Sequence, residues 1–157
     1  MKILFVCTWN VFRSMSAEYL TKKYLEDNKF SDIQVSSAGI GTIERPQEPF
    51  QQTINRLNYY WCNFVHHDQV QVTTDLLKDQ DLIICMSQVH IDFVKDLWYQ
   101  WILFNEIAYW KNEDLMDDGE FREKNVNVDL DTFCPQTIDY IHDAIPFIIK
   151  NIRKQSI

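Results

Sequence analysis

Ile3-Leu4-Phe5-Val6-Cys7-Thr8-Trp9-Asn10-Val11-Phe12-Arg13-Ser14 is the stretch on which the reading of this chain turns. Ile3 to Val6 is a short apolar run of strand type. Ser14 to Asp27 reads as a helix, with Ala17, Leu20, Tyr24 and Leu25 near one face. Between them, Cys7 and Arg13 stand six positions apart on a turn from strand to helix. Backbone N–H groups in such a turn, and in the first turn of the helix, point inward and cradle an anion. Arg13 can hold two phosphate oxygens with its planar fork. The helix N-terminus and Arg13 both place positive potential at Cys7, which favours a thiolate there. A thiolate beneath a bound phosphoryl group is a nucleophile in position to attack phosphorus. Thr8, Trp9, Asn10, Val11, Phe12, Arg13 and Ser14 are the candidate phosphate-binding residues. Asn10, in mid-loop, can brace the turn and tolerates positive φ. Ser14 can donate to the Cys7 sulfur and can also act as the N-cap of the helix. The competing reading is a buried thiol at a strand end with an arginine on the surface.

The rest of the chain alternates strands and helices. Ile33 to Ser36 is expected as strand two, followed by a loop from Ala38 to Pro49 that holds Gly39, Gly41, Pro46 and Pro49. Phe50 to Leu57 reads as a helix, and Leu82 to Met86 as strand three. Ser87 can cap a helix through Leu97. Ile102 to Glu106 is expected as strand four. Ile138, Ile141, Ile145, Ile148 and Ile152 fall at helical spacing in a last helix from about Pro135 to Lys154, which Pro146 should kink. This alternation predicts an α/β fold of three layers, α/β/α, with a central four-stranded parallel sheet and the phosphate loop after strand one. Ligands of such sheets bind at the carboxyl ends of the strands, where Cys7 falls.

Composition sets bounds. A chain of 157 residues suits one domain spanning 1–157. Its 46% hydrophobic content is ordinary for a globular chain. No apolar run reaches membrane-spanning length and no signal-peptide pattern opens the chain, so no membrane partner and a cytoplasmic location are expected. The formal net charge of -8 argues against a nucleic-acid partner, which would need a basic footprint. It also requires any phosphate to be captured by a local cradle rather than a global field. The spacings of Cys7, Cys62, Cys85 and Cys134 fit neither a zinc site nor a dense disulfide framework. Cys85, inside Asp81-Leu82-Ile83-Ile84-Cys85-Met86, is expected as a core thiol.

Val6-Cys7-Thr8-Trp9-Asn10-Val11-Phe12-Arg13-Ser14, followed by Ala17-Glu18, resembles the N-terminal signature V-C-x-G-N-x-C-R-S-x-x-A-E of the low-molecular-weight protein tyrosine phosphatases. Ser37-Ala38-Gly39 resembles the family's S-A-G, His67-x3-Gln71-x-Thr73 its H-x-x-x-Q-x-T, and Asp81 to Met86 its D-L-I-L-C-M. The departures are Trp9 for the loop glycine, Phe12 for the second loop cysteine, Met15 for the proline after R-S, and the absence of an Asp-Pro motif. Trp9 implies that its position does not need positive φ, or that the loop is altered; its indole either walls the pocket or packs on a neighbouring loop. Phe12 is read as packing. The resemblance implies hydrolysis of phosphotyrosine or related aryl phosphate monoesters through a phosphocysteine, with no metal or other cofactor. It implies a phosphorylated protein or small aryl phosphate as partner and inorganic phosphate as product. It also implies that His67 supports Asn10.

Departure of the leaving group needs a general acid. The candidates are Asp117, Asp118, Asp129 and Asp131. Ungapped comparison from Leu103-Phe104-Asn105-Glu106 puts the family's acid on Asp117, whereas counting back from the last helix favours Asp129. Asp117 is preferred, because Leu115-Met116 precedes it and no gap is needed. Phe121 is a candidate wall for an aryl ring. Two alternatives stay open. One is an arsenate reductase, for which Cys85 is available but Ser87 to Phe93 lacks a second cysteine. The other is a catalytically silent phosphate- or phosphotyrosine-binding module, suggested by Trp9, Phe12 and the missing Asp-Pro.

Overall fold

β1 (Lys2–Cys7) is the strand around which the chain is wound. In the computed structural model, which describes residues 1–43, 46–97, 100–115 and 128–155, it pairs in parallel with β2 (Gln34–Gly39) on one side and β3 (Leu82–Cys85) on the other. β4 (Trp101–Leu103) extends the sheet beyond β3, giving the order β2-β1-β3-β4, all parallel. Alternation along β1 sends its side chains to two cores. Ile3, Phe5 and Cys7 face one, and Leu4 and Val6 face the other. The first core is covered by α1 (Arg13–Asp27), α5 (Phe104–Tyr109) and α6 (Leu130–Gln155). The second is covered by α3 (Thr74–Lys78) and α4 (Gln88–Val94), the latter continued by a 3₁₀ turn, Lys95–Leu97. α2 (Gln51–Tyr59) leans on α1 and α6. The three-layer α/β/α arrangement expected from the alternation is the one observed.

The apolar spacing in α6 does what its period requires. Ile138, Ile141, Ile145, Ile148 and Ile152 are all buried, each side chain contributing about 1.5–3 kcal/mol of transfer free energy. The helix starts at Leu130, earlier than expected, and runs on through both Pro135 and Pro146. Asp129 supplies the reason for the early start. Its carboxylate accepts from the Asp131 N–H at 3.1 Å and the Thr132 hydroxyl at 2.6 Å, capping the first turn.

Several details differ from the sequence reading. Strand four ends at Leu103, and Phe104 to Glu106 belongs to helix α5, where Phe104 and Ile107 turn into the first core. β2 continues through Ser37, Ala38 and Gly39 rather than ending at Ser36, because Gly39 still pairs with Cys7. The short α3, capped by Thr73, is not among the elements expected from the sequence. α1 begins at Arg13, so Ser14 sits inside the helix and is not its N-cap.

Gly39 explains why β2 can run so close to the loop after β1. A Cβ at Gly39 would lie 2.6 Å from the Thr8 carbonyl oxygen, 2.6 Å from the Thr42 methyl and 3.0 Å from the Asn10 nitrogen. Two of those neighbours are backbone and cannot rotate away. The Ile40 and Gly41 N–H groups then donate to the Cys7 and Thr8 carbonyls, both at 3.0 Å. Gly39→Ala should therefore destabilise the fold by about 1–3 kcal/mol, the usual cost of overpacking. A urea midpoint equal to that of the unmodified chain would contradict this account of the strand end.

Candidate active site

The loop from Thr8 to Phe12 joins β1 to α1 at the carboxyl end of the sheet, beside the crevice where the strand order reverses. Cys7 is 3% exposed and Arg13 2%. Two donors converge on the Cys7 sulfur: the Asn10 backbone N–H at 3.2 Å and the Ser14 hydroxyl at 2.9 Å. The direction of the second bond follows from Asn10. Its Nδ2 donates to Ser14 Oγ at 3.0 Å, so the Ser14 oxygen accepts there. The hydroxyl's one hydrogen goes to its nearer acceptor, Cys7, rather than to the Ala38 carbonyl at 3.4 Å.

Asn10 is the hub of the loop. It has φ 58°, the left-handed conformation that asparagine tolerates, whereas Trp9 has no positive φ. Its Oδ1 accepts from the Val70 N–H at 2.9 Å, which fixes the amide orientation. The same oxygen lies 3.1 Å from His67 Nε2, so His67 donates. Its Nδ2 also donates to Ser37 Oγ at 2.7 Å, and Ser37 in turn donates to Glu18 at 2.5 Å. Lys22 pairs with the other Glu18 oxygen. His67 thus meets Asn10 as the sequence resemblance implied. Ser37 and Glu18 were quoted only as letters of a motif, and nothing in their local pattern revealed that they terminate this chain of bonds.

The rim is aromatic. Cys7, Thr8, Trp9, Val11, Phe12 and Arg13 line a depression closed on one side by Gln47 and Phe50. Trp9 rests its ring on Gly41, 3.2 Å from where a Cβ would sit, so it both packs on a neighbouring loop and walls the depression. Its carbonyl accepts from Gln69 Nε2 at 2.6 Å. Phe12 is buried and packs edge-on against Phe50 and tilted against Phe133, with centroids 6.1 and 6.0 Å away. Its bulk thus points into the core. Phe50 is held at the rim by α2, which the Arg56–Asp139 pair ties to α6 at 2.6 and 2.7 Å. A larger polar hollow of about 410 Å³, lined by Met1, Lys2, Asp32, Lys78, Asp79 and Asp81, opens at the opposite end of the strands, away from Cys7. Its Lys2 and Asp79 already pair with each other at 2.7 Å.

Asp117, Asp118 and Phe121 lie outside the described residues. The root of their segment does not. After α5, Asn105 Nδ2 holds the Glu113 carbonyl at 3.0 Å, Asp114 accepts from the Gln88 N–H at 2.8 Å, and the Leu115 N–H donates to the Met86 carbonyl at 2.7 Å. The Leu115 carbonyl then accepts from Arg13 Nη1 at 2.6 Å. Asp129 is occupied as the cap of α6, and Asp131 accepts from Gln52 at 2.7 Å.

His90, which belongs to none of the motifs above, lies at the site. It is 1% exposed, its Nδ1 is 3.0 Å from the Ser87 backbone nitrogen, and its Nε2 is 3.1 Å from Thr8 Oγ1. The S-x-x-H spacing, a variant of the capping box, is the signal that could have found it. Burial, and secondarily the Arg13 guanidinium, push its pKa down to about 3. Burial also lowers that of His67, against the pull of Glu18. Cys85 faces the second core, on the other side of the sheet from Cys7, and burial pushes its thiol up to about 12. That position and direction suit a core thiol rather than a redox relay with Cys7. Burial likewise raises the half-buried Cys62 to about 11, and Cys134 is fully buried. No helix of the described residues is long and apolar enough to cross a membrane.

Both histidines hold protons more weakly in the folded chain than in the unfolded one. The stability they lend is complete above the unfolded value of 6.5 and is lost as pH falls toward the folded values, about 3 for His90. The chain should therefore lose stability between about pH 7 and about pH 5, and His90→Asn should lose less over the same interval. Denaturant midpoints at the two pH values measure this; an equal drop in both proteins would refute the assignment to His90.

Comparison with known proteins accords with this geometry. The family model described as low molecular weight phosphotyrosine protein phosphatase matches residues 2–155. The low molecular weight protein-tyrosine-phosphatase PtpA of Staphylococcus aureus is 30% identical over 95 residues, a stretch covering 60% of this chain and 60% of that relative. Among solved structures, a low molecular weight phosphotyrosine phosphatase from Vibrio cholerae O395 superposes with TM-score 0.80 at 21% identity, covering 100% of this chain and 99% of that one. The YwlE arginine phosphatase from Geobacillus stearothermophilus does so with TM-score 0.77 at 17% identity, covering 98% and 94%. At those identities the superpositions speak to the fold, and the match over nearly the whole sequence speaks to descent: the chain belongs to the low molecular weight phosphotyrosine protein phosphatase family.

Proposed function

We propose that residues 1–157 form a single phosphatase domain that hydrolyses phosphotyrosine or related aryl phosphate monoesters through a phosphocysteine. The observation that carries this reading is the convergence of the Asn10 N–H and the Ser14 hydroxyl on Cys7 Sγ, beside the buried Arg13. Two donors aimed at one sulfur suit a sulfur bearing negative charge, and they support it again when it leaves.

In the first step Cys7 Sγ attacks phosphorus. The S–P bond forms as the bond from phosphorus to the ester oxygen breaks, and the departing oxygen takes a proton from a carboxylic acid. Arg13 and the loop N–H groups between Thr8 and Ser14, that of Asn10 being turned to the sulfur, hold the phosphoryl oxygens. In the second step water attacks phosphorus, the same carboxylate takes its proton, the S–P bond breaks, and inorganic phosphate departs. We assign the acid to Asp117. In support, Leu115 is docked on Arg13 two residues before it, and Asp129 already caps α6. Trp9 and Phe50 offer an aryl ring two faces.

The test is turnover of p-nitrophenyl phosphate, phosphotyrosine and phosphoarginine with EDTA present. Cys7→Ser should abolish turnover and retain orthovanadate binding. Arg13→Lys should lose most activity, because an ammonium makes no bidentate contact. Asp117→Asn should slow the first step by roughly 10²- to 10⁴-fold, with a smaller loss for good leaving groups. Full activity of Cys7→Ser would end the proposal. Oxyanion binding without turnover in the wild type would make the chain a phosphate-binding module. Leaving-group dependence in Asp129→Asn, with Asp117→Asn near wild type, would move the acid.

A further inference from the structure

We infer that Thr8 is a side-chain donor to the bound oxyanion and that His90 is the positioning residue that aims it, an inference resting on the oxyanion-cradle reading of the Cys7 loop. The argument begins at the start of α4. A backbone N–H can only donate, and that of Ser87 points at His90 Nδ1 from 3.0 Å. Ser87 Oγ lies 2.9 Å from the same nitrogen. Nδ1 is therefore the unprotonated nitrogen of a neutral ring, and the ring hydrogen is on Nε2. Nε2 lies 3.1 Å from Thr8 Oγ1, across 82 residues of sequence, so the histidine donates and the threonine oxygen accepts.

That direction sets the other end of the hydroxyl. With a lone pair taken by His90, the Thr8 hydrogen is turned away from the ring. Thr8 is half-buried and lines the depression together with Cys7 and Arg13. A hydroxyl held in this way can give its hydrogen to a phosphoryl oxygen without first breaking a bond to the protein, which is the preorganisation that makes a donor effective. A doubly protonated ring would turn a second N–H against the Ser87 N–H, and both the burial of the ring and the nearby Arg13 charge keep it neutral. His90 thus links the first turn of α4 to the first residue after the nucleophile. A histidine that only capped α4 would have no need of Thr8, and the two duties can be separated chemically. Asparagine at position 90 keeps an acceptor near the Ser87 N–H but is too short to reach Thr8.

Orthovanadate binding to the full chain, followed by calorimetry, tests this without requiring turnover. Thr8→Val, which keeps the shape and removes the hydroxyl, should weaken binding about tenfold or more, the range for one hydrogen bond to a charged group. Thr8→Ser should recover most of that loss. His90→Asn should weaken binding to a similar extent, and the double variant should be no weaker than Thr8→Val alone, because His90 acts through that hydroxyl. Unchanged binding in Thr8→Val overturns the inference, as does a loss in Thr8→Ser equal to that in Thr8→Val. Losses that multiply in the double variant overturn the role of His90. If His90→Asn fails to fold, the contrast between valine and serine at position 8 still decides whether Thr8 donates. Wild-type protein that binds no orthovanadate would defeat the cradle reading and this inference together, whereas wild-type binding that ignores Thr8→Val defeats this inference alone.

Discussion

The side-chain amide of Asn10 is the constraint on which the site depends. Its backbone turns left-handed to reverse the chain after β1, and its four side-chain bonds fix that reversal from inside. The bonds have direction. Val70 and His67 donate to the amide, the amide donates to Ser14 and Ser37, and those two donate onward to Cys7 and Glu18. An alanine in this place would leave several buried partners unsatisfied, at about 1–3 kcal/mol each. An aspartate would supply no donor at all. The environment of the Cys7 sulfur is therefore set by a residue whose side chain does not touch it.

The sheet explains why these parts meet. All strands run parallel, so their carboxyl ends share one edge, and the chain returns to that edge after each crossover. β1 delivers Cys7, β2 delivers Gly39 and the braces to the Cys7 and Thr8 carbonyls, and β3 leads to Met86, Ser87 and His90. The segment after α5 ends against Arg13. The Arg13 side chain is thereby fixed through its own backbone in α1 and through the Leu115 carbonyl, two anchors far apart in sequence. A guanidinium restrained at both ends loses less entropy when it meets a ligand than one that hangs free.

What the sequence disclosed followed the strength of the local signal. The isoleucine period of α6 and the apolar run of β1 were legible because each repeats one physical cue several times. Cys7, Arg13 and Asn10 were legible because the loop is contiguous in the chain. β4 was misjudged at its end because Phe104 and Ile107 are apolar in either strand or helix, and only their packing against the first core decides. His90 and Thr8 lie 82 residues apart and meet through a crossover that no local pattern encodes. Phe12 was rightly assigned to packing, since an aromatic side chain entering α1 from a tight loop needs a core to accept it. Of the two duties read for Ser14, the bond to sulfur is present and the helix cap is not, a distinction that depends on one residue of helix register.

The placement of α6 carries a consequence for synthesis. This helix covers the face of the sheet that holds Ile3, Phe5 and Ile84, yet it is the last element of the fold to leave the ribosome. Until Leu130 to Gln155 emerge, that face is bare apart from α1 and α5, and the Arg153–Asp32 pair, which joins residues 121 positions apart, cannot form. A nascent chain of this topology completes its core late and presents an open apolar surface meanwhile. That surface is closed only when residues 130–155 are free to pack against it.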